Sequence, residues 1–462
     1  MSKFRKSHPN HRSSGVEWLG NVPESWNVKR LKYSATINDE TLPETTLPDF
    51  EFSYVDISSV DAVTGITIVE DVVFEDAPSR ARRIVRDGDT IVSTVRTYLR
   101  AIAPIRKPPE NLIVSTGFAV VRPRKLDPKY LSYALRESGF VETVVARSVG
   151  VSYPAVNASD VATIPITLPP EEEQLAIATF LDHQTVKIDT LVAKKQTLIE
   201  RLKEKRIALI SRTVTRGLPP HVARAAGLNP HPKLKPSGIE WLGEVPDHWV
   251  VRKLGHIATV VRGASPRPAG DPRYFDGDFI PWITVGELTK DSGLYLISTE
   301  SMLTQEGAAL SRVMREGTLV LTNSGATLGV PKILAINGCA NDGVVAFENL
   351  RRDAKILFLY YFLASITENL RNRIKQGSGQ PNLNTDIIRA LAVPFPPASE
   401  QSAICEYLVT KTVEIDGIVA KVESAIERLR EYRAALMTAA VTGKIDVRGD
   451  STDNRLESVS AS

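Results

Sequence analysis

The chain has 462 residues, 42% of them hydrophobic and 24% charged, a composition that fits a folded protein of two to four domains and excludes global disorder. Its 57 Lys and Arg against 54 Asp and Glu leave a formal charge of only +3, so any nucleic-acid surface has to come from local arrangement, not bulk charge. The two cysteines, Cys339 and Cys405, are too few for a disulfide framework or a four-cysteine zinc site.

Residues 1–12 are polar and basic, lack the apolar core of a secretory signal, and read as a disordered arm. The block SGVEWLGNVPESWNVKRL follows at Ser14, and from about residue 28 to 168 β-branched runs are broken by Gly, Pro and Asn. Thr90–Ser93 and Ile113–Ser115 read as strands, and Pro128–Val145 carries a helical pattern. Pro169-Pro170 closes the last strand, and Glu171, Glu172 and Glu173 then suit the positive end of a helix that runs to about residue 216. Residues 217–235 hold four prolines and little pattern, so they read as a linker. A second pass begins with SGIEWLGEVPDHWVVRKL at Ser237, continues through strands at Thr318–Leu321 and Gly343–Phe347 and a helical stretch at Lys355–Ile374, and ends in a helix over 396–446. Residues 447–462 read as a flexible tail. The longest apolar stretch, Ile356 to Ile366, is about half a membrane span, so a soluble, cytoplasmic protein is expected.

The two passes are copies of one plan. The Trp-rich block recurs after 223 residues, and PPEEEQLAIATFLDHQTVKIDTLVAK at Pro169 recurs after 227 as PPASEQSAICEYLVTKTVEIDGIVAK at Pro396. Spacing is almost kept while the text between has diverged, which is the mark of a tandem duplication. Globules are expected at 13–168 and 236–395, with spacer helices at 169–216 and 396–446. In the second helix Ile415, Ile418, Val422, Ala425, Leu429, Tyr432 and Leu436 follow a heptad seam. Its counterpart is Ile188, Leu191, Lys195, Leu198, Leu202, Lys205 and Leu209, weakened by two lysines and widened by Val192 and Ile199. About 45 helical residues at about 1.5 Å each make a rod of roughly 65 Å that cannot bury its stripe alone. The expected fold class is therefore α+β: two similar α/β globules separated by two long antiparallel coiled-coil helices, related by a pseudo-twofold axis. An intermolecular coiled coil is the alternative.

Catalytic motifs are missing from the text. Gly443-Lys444 lacks the rest of a phosphate-binding loop, no GxGxxG follows a strand, and the Pro-Pro pairs at 108, 169 and 396 lack the flanks of an amino-methyltransferase loop. His8 and His11 have no further ligand nearby, so no metal site is expected.

Polar loops are the candidates for nucleic-acid contact. Gly377 to Asn384 (GSGQPNLN) and Gly150 to Asn157 (GVSYPAVN) occupy the same place in the two copies. Glycine permits close backbone approach to phosphate, and Gln or Asn can bond adenine bidentately. This selects Ser152, Tyr153, Ser378, Gln380 and Asn382, whereas Asn157 and Asn384 stand where helix N-caps belong. A second matched pair comprises strands ending in Ser93, Thr94 and Arg96, or in Thr322, Asn323 and Ser324. Arg100 and Arg267 are further candidates, and Arg80, Arg82 and Arg83 form a basic cluster suited to phosphate. Trp18, Trp26, Trp241 and Trp249 read as core or as a partner-docking surface.

The doubled SG[VI]EWLGxVPxxW blocks, the doubled Pro-Pro-x-x-Glu-Gln helices and the GSGQPNLN loop resemble the specificity subunit of type I restriction-modification enzymes over residues 13–446. GDTIVSTVRTYLRA from Gly88 and IPWITVGEL from Ile280 look like target-recognition-domain text. One departure is Val151-Ser152-Tyr153 where the second copy has Ser378-Gly379-Gln380, as two domains reading different sequences would have. The resemblance implies a non-catalytic subunit that binds duplex DNA, each globule reading half of a split target while the helices set the gap and dock two methyltransferase subunits. It further implies that S-adenosylmethionine, ATP and magnesium belong to partner subunits, which methylate adenine N6 and, through a restriction/translocase subunit, cleave. A coiled-coil scaffold, a DNA-binding protein outside restriction-modification, and a cryptic nuclease or methyltransferase are the rival readings.

Overall fold

The computed structural model describes residues 7–374 and 382–448. It divides into two compact units, Met1–Lys195 with Ser424–Ser462, and Gln196–Glu423. Both long helices form, Glu171–Arg216 with 46 residues and Ala398–Val441 with 44. Expected as segments of their own, each is instead shared: the first unit holds the start of the first helix and the end of the second, and the other unit holds the remaining halves.

Within the first unit, one antiparallel sheet has the order Ile102–Pro104, Thr90–Ser93, Phe118–Pro123, Ala35–Ile37. A second has the order Glu70–Val73, Glu51–Val55, Leu112–Ser115, Ala81–Ile84, with its two central strands parallel. The second unit repeats both. Pro331–Leu334, Leu319–Thr322, Val344–Glu348 and Thr259–Arg262 make the first sheet, extended by Tyr295–Leu296. Met302–Leu303, Ile280–Ile283, Gly338–Ala340 and Arg312–Met314 make the second, again with a parallel central pair. The strands read from β-branched runs are therefore present, and they are buried on both faces because sheet packs on sheet and helix. The helical stretch after Pro128 is two helices, Pro128–Leu135 and Ser138–Ala146, and its counterpart begins with Ile356–Ser365.

The doubled sequence blocks form the joint between sheet body and long helix. Trp26 and Trp249 are fully buried, and each indole N–H donates to a carboxylate in the first turn of a long helix, Trp26 to Glu173 and Trp249 to Glu400 at 3.1 Å. The next residue completes the joint. The Gln174 amide donates to the Pro169 carbonyl (2.9 Å) and accepts from the Asp127 N–H (2.8 Å). Gln401 donates to Pro396 (2.8 Å) and Asp353 (3.0 Å) and accepts from the Lys355 N–H (2.8 Å). Trp26 and Trp249 are thus core residues and not a docking surface; Trp18 and Trp241 are half-buried, Trp18 against Gly139 and Trp241 beside Phe362.

Inside each unit the two helix halves run antiparallel. In the first, Arg433 donates to Asp189 at 2.9 Å while Arg448 meets Glu173 at 3.1 Å. In the second, Arg206 lies 2.9 Å from Asp416, and Gly217 faces Glu400. The seam differs from the expected one at alternate positions. Ile188, Lys195, Leu202 and Leu209 face inward with Val192, Ile199 and Arg206, whereas Leu191 and Leu198 are exposed. In the second helix Ile415, Val422, Leu429 and Leu436 are joined by Val419, Ile426 and Arg433, and Ile418 and Tyr432 are exposed. The heptad phase is the same in both copies, because each partner helix buries the neighbour one residue later.

Three segments expected to lack structure are packed where they are described. His8 is buried against Trp26 (5.6 Å between rings), and His11–Ser13 pairs with Asn21–Pro23. In the expected linker Leu218 is buried, Pro220–Ala225 is helical and Leu234–Pro236 pairs with Glu244–Pro246. Val447 is buried, and Gly443, with φ +74°, turns the chain against Trp26 where a Cβ would strike Pro23.

Gln401→Ala leaves one partly buried N–H and two carbonyls without their side-chain partner and is expected to cost about 1–2 kcal/mol in urea denaturation. Arg433→Leu, which keeps an apolar stem on the seam, is expected to stay within about 1 kcal/mol of wild type in the same titration.

Candidate nucleic-acid interface

Strands that end at the same edge of a sheet bring loops distant in sequence together. In the first unit residues 94–100, the turn at 115–118 and the loop 148–156 meet at one end of the sheet. The Thr94 N–H bonds the Gly117 carbonyl (2.8 Å), the Arg96 N–H bonds Pro154 (2.8 Å) and the Val156 N–H bonds Thr94 (2.9 Å). Thr97 and Ser148 share a hydroxyl hydrogen bond of 2.7 Å. The second unit repeats the arrangement: the Asn323 N–H bonds Gly343 (2.9 Å), the Leu383 N–H bonds Asn323 (2.8 Å), and Ser324 bridges to Asn382. The two matched regions picked out in the sequence are therefore one site in each unit.

Several candidates support this site from below and do not present themselves at its surface. Ser93, Thr94, Thr322 and Asn323 are buried. Their side chains hold the loops: Ser93 donates to Val95 (2.5 Å), Thr94 to Gly117 (2.9 Å), Thr322 to Thr327 (2.7 Å) and Asn323 to Leu383 (3.2 Å). They hold the loops in position and do not reach the surface, because a small polar group at a strand end bonds a carbonyl of its own loop or of the adjoining one before reaching solvent.

The basic cluster is also spent internally. Arg80 is bidentate to Asp56 (3.1 Å twice), Arg82 donates to the Ala81 carbonyl and lies 4.5 Å over Phe74, and Arg83 donates to Thr41 (3.0 Å). Burial lowers the Arg83 pKa. Arg80 alone of the three borders the interface, its carbonyl accepting from the Thr116 N–H at 2.7 Å. Arg100 pairs with Glu142 (2.5 Å) and Arg267 with Asp342 (3.2 Å), both on the surface.

What remains presented is a cation on an aromatic. The Arg96 guanidinium lies 4.9 Å from the centre of the Tyr153 ring, which is 63% exposed. Among the described residues no carboxylate pairs with Arg96. Ser152 and Asn382 are exposed and Ser324 half-exposed. Ser378 and Gln380 lie outside the described residues. Sequence reasoning passed over Tyr98, Val149 and Val151, which are exposed on the same loops; an aromatic between Arg96 and Arg100 was the available signal. Asn384 caps the helix Thr385–Ala390, accepting from the Ile387 N–H at 2.8 Å. Asn157 holds the equivalent cap position, but its amide donates to Asp160 (3.2 Å).

Two tandem domains with this architecture define a class of protein, and the family model described as type I restriction modification DNA specificity domain matches residues 23–201 and 246–428. The chain belongs to that family. Among its relatives, the protein named MjaX specificity subunit of a type I restriction enzyme from Methanocaldococcus jannaschii is 24% identical over 93% of this chain and 96% of its own length. The EcoKI specificity subunit of Escherichia coli K12 is 26% identical over 44% of each chain. A solved chain from a study of type I restriction-modification complex assembly superposes with a TM-score of 0.67 at 24% identity, covering 92% of this chain and 99% of that one. The HsdS subunit of Thermoanaerobacter tengcongensis gives 0.51 at 23% identity, covering 94% and 100%.

Asn384→Ala is expected to cost about 1 kcal/mol by removing a cap bond, and Asn157→Ala a few tenths, when the two are compared by thermal denaturation.

Proposed function

We propose that this chain is the sequence-reading subunit of a type I restriction-modification complex, each unit contacting one half of a bipartite, asymmetric duplex target. The observation that carries this reading is the same meeting of loops at one sheet end in both units, lined differently: Arg96 on Tyr153 in the first, Ser324 and Asn382 in the second. Same scaffold with different lining is what two independent readers require. A guanidinium held over an exposed ring can address phosphate or a base edge, and hydroxyl and amide groups address base edges. In this reading the two long helices, of 46 and 44 residues, set the gap between half-sites.

Catalysis then lies in partners. Two methyltransferase subunits dock, one per repeat, with the half-buried Trp18 and Trp241 as candidate contacts, and restriction/translocase subunits join the full complex. S-adenosylmethionine, ATP and magnesium belong to those subunits. The location consistent with such work is the cytoplasm.

Selection from random duplex DNA by the chain co-purified with its methyltransferase is expected to enrich two short, different motifs at a fixed gap. A single contiguous motif, or none from a stable complex, would overturn the reading in favour of one reader or a scaffold. Exchanging residues 28–168 is expected to change one half-site only. Arg96→Ala is expected to weaken binding about tenfold and lower the slope of log affinity against log salt by about one, read by fluorescence anisotropy.

A further inference from the structure

A cavity of about 220 Å³ opens in the first unit, between the end of the second long helix and the globule. Its wall carries four guanidinium groups, Arg100, Arg136, Arg430 and Arg433, together with Ala62 and Val63 at the tip of a hairpin. Three of the four are paired: Arg100 with Glu142, Arg430 with Glu427 at 2.6 Å, and Arg433 with Asp189 at 2.9 Å. Arg136 is not. Its Nε donates to the Ser132 carbonyl at 3.1 Å and its plane lies 4.9 Å from the Tyr133 ring centre. Among the described residues no carboxylate stands within ion-pair distance of it. Arg136 is thus the one guanidinium of the four without an ion-pair partner; it is half-buried, and burial pushes its pKa down, with Arg433 and Arg106 acting the same way and Tyr133 and Asp182 opposing.

Comparison with the second unit sharpens this. The Asp127 and Lys355 N–H groups donate the same bond to the Gln of the doubled block, and Tyr133 bonds Thr185 (3.3 Å) as Tyr361 bonds Thr412 (3.4 Å). Counted from these matched bonds, Arg136 stands where the second repeat has Ala364. The second unit also supplies its own buried cation, Lys332, with Asp291 as partner. The first unit therefore carries an arginine that its duplicate lacks, held by the Ser132 carbonyl and the Tyr133 ring and not by an ion pair.

We propose that this cavity is a phosphate-ester site. Guanidinium forks match the oxygens of phosphate, and the partly desolvated setting strengthens each bond. The volume equals about seven water molecules at about 30 Å³ each, room for a phosphate and the sugar it esterifies. Two sources carry that chemistry: a mononucleotide in solution, or a backbone phosphate of the duplex. The second rests on the function proposed above, since Arg100 ends the short helix Thr97–Leu99 that lies in the interface loops.

The test compares the full chain with Arg136→Ala, the side chain the second repeat already carries, and with Arg224→Ala on the other unit as a control. Thermal denaturation verifies that each variant is folded. Inorganic phosphate and adenosine monophosphate are titrated by calorimetry, and the selected duplex by fluorescence anisotropy across a salt series. Arg136→Ala is expected to lose tenfold or more on one arm, with Arg224→Ala unchanged. Loss on the calorimetric arm assigns the free nucleotide; loss on the duplex arm, with a salt slope lower by about one, assigns the backbone. A folded Arg136→Ala equal to wild type on both arms overturns the site while leaving DNA reading intact. Arg136-dependent phosphate binding by a chain that binds no duplex upholds the site and overturns the DNA reading.

Discussion

Everything in each unit is referred to one buried hydrogen bond, from a tryptophan indole to a glutamate in the first turn of a long helix. A carboxylate buried without partners is too costly to keep charged. Glu173 has the Trp26 indole and Arg448, and Glu400 has the Trp249 indole and His248 at 2.8 Å. Beside that bond, the neighbouring glutamine closes on the carbonyl of the helix's own Pro-Pro and on the N–H that opens the preceding short helix, and Gln401 also donates to the Asp353 carbonyl. Sheet body, capping helix and long helix are thereby locked in one geometry, and the loops at the sheet end inherit their positions from it. This is why SGxEWLGxVPxxW and PPxxEQ survive nearly intact in both copies while the text between them differs.

The long helices add a second constraint, reciprocal charge. Asp189 meets Arg433 in one unit, and Asp416 meets Arg206 in the other; under the 227-residue repeat these are the same two positions with their helices exchanged. Arg433 lies on the inward seam with its side chain only 12% exposed, so its partner does more than decorate a surface. Surface ion pairs contribute little, but a pair whose arginine lies in the seam fixes which residues face each other.

The candidate interface follows a different logic. Residues chosen for their hydrogen-bonding groups, Ser93, Thr94, Thr322 and Asn323, satisfy backbone carbonyls of their own loop or of the loop beside it, and the arginines chosen for density, Arg80, Arg82 and Arg83, find Asp56, Phe74 and Thr41. Presentation is decided by what is left over. Arg96 and Tyr153 lie more than fifty residues apart and meet only because the loop 148–156 pairs with the strand end at Val95. Arg136 is left over in the same sense, through a difference between duplicates.

The sequence by itself determined the duplication, the β-rich globules, the two long helices and the family, because these rest on periodicity and repeated text, which are local properties of the chain. It also located both loop pairs. Only the tertiary structure decided the seam, since Leu191 or Val192, and Ile418 or Val419, satisfy a heptad equally well until a partner helix chooses. It likewise decided that Trp26 and Trp249 are buried, that each long helix belongs to two units, and which arginines keep an open charge. Burial and ion pairing are relations between residues far apart in the chain, and no spacing within one segment encodes them.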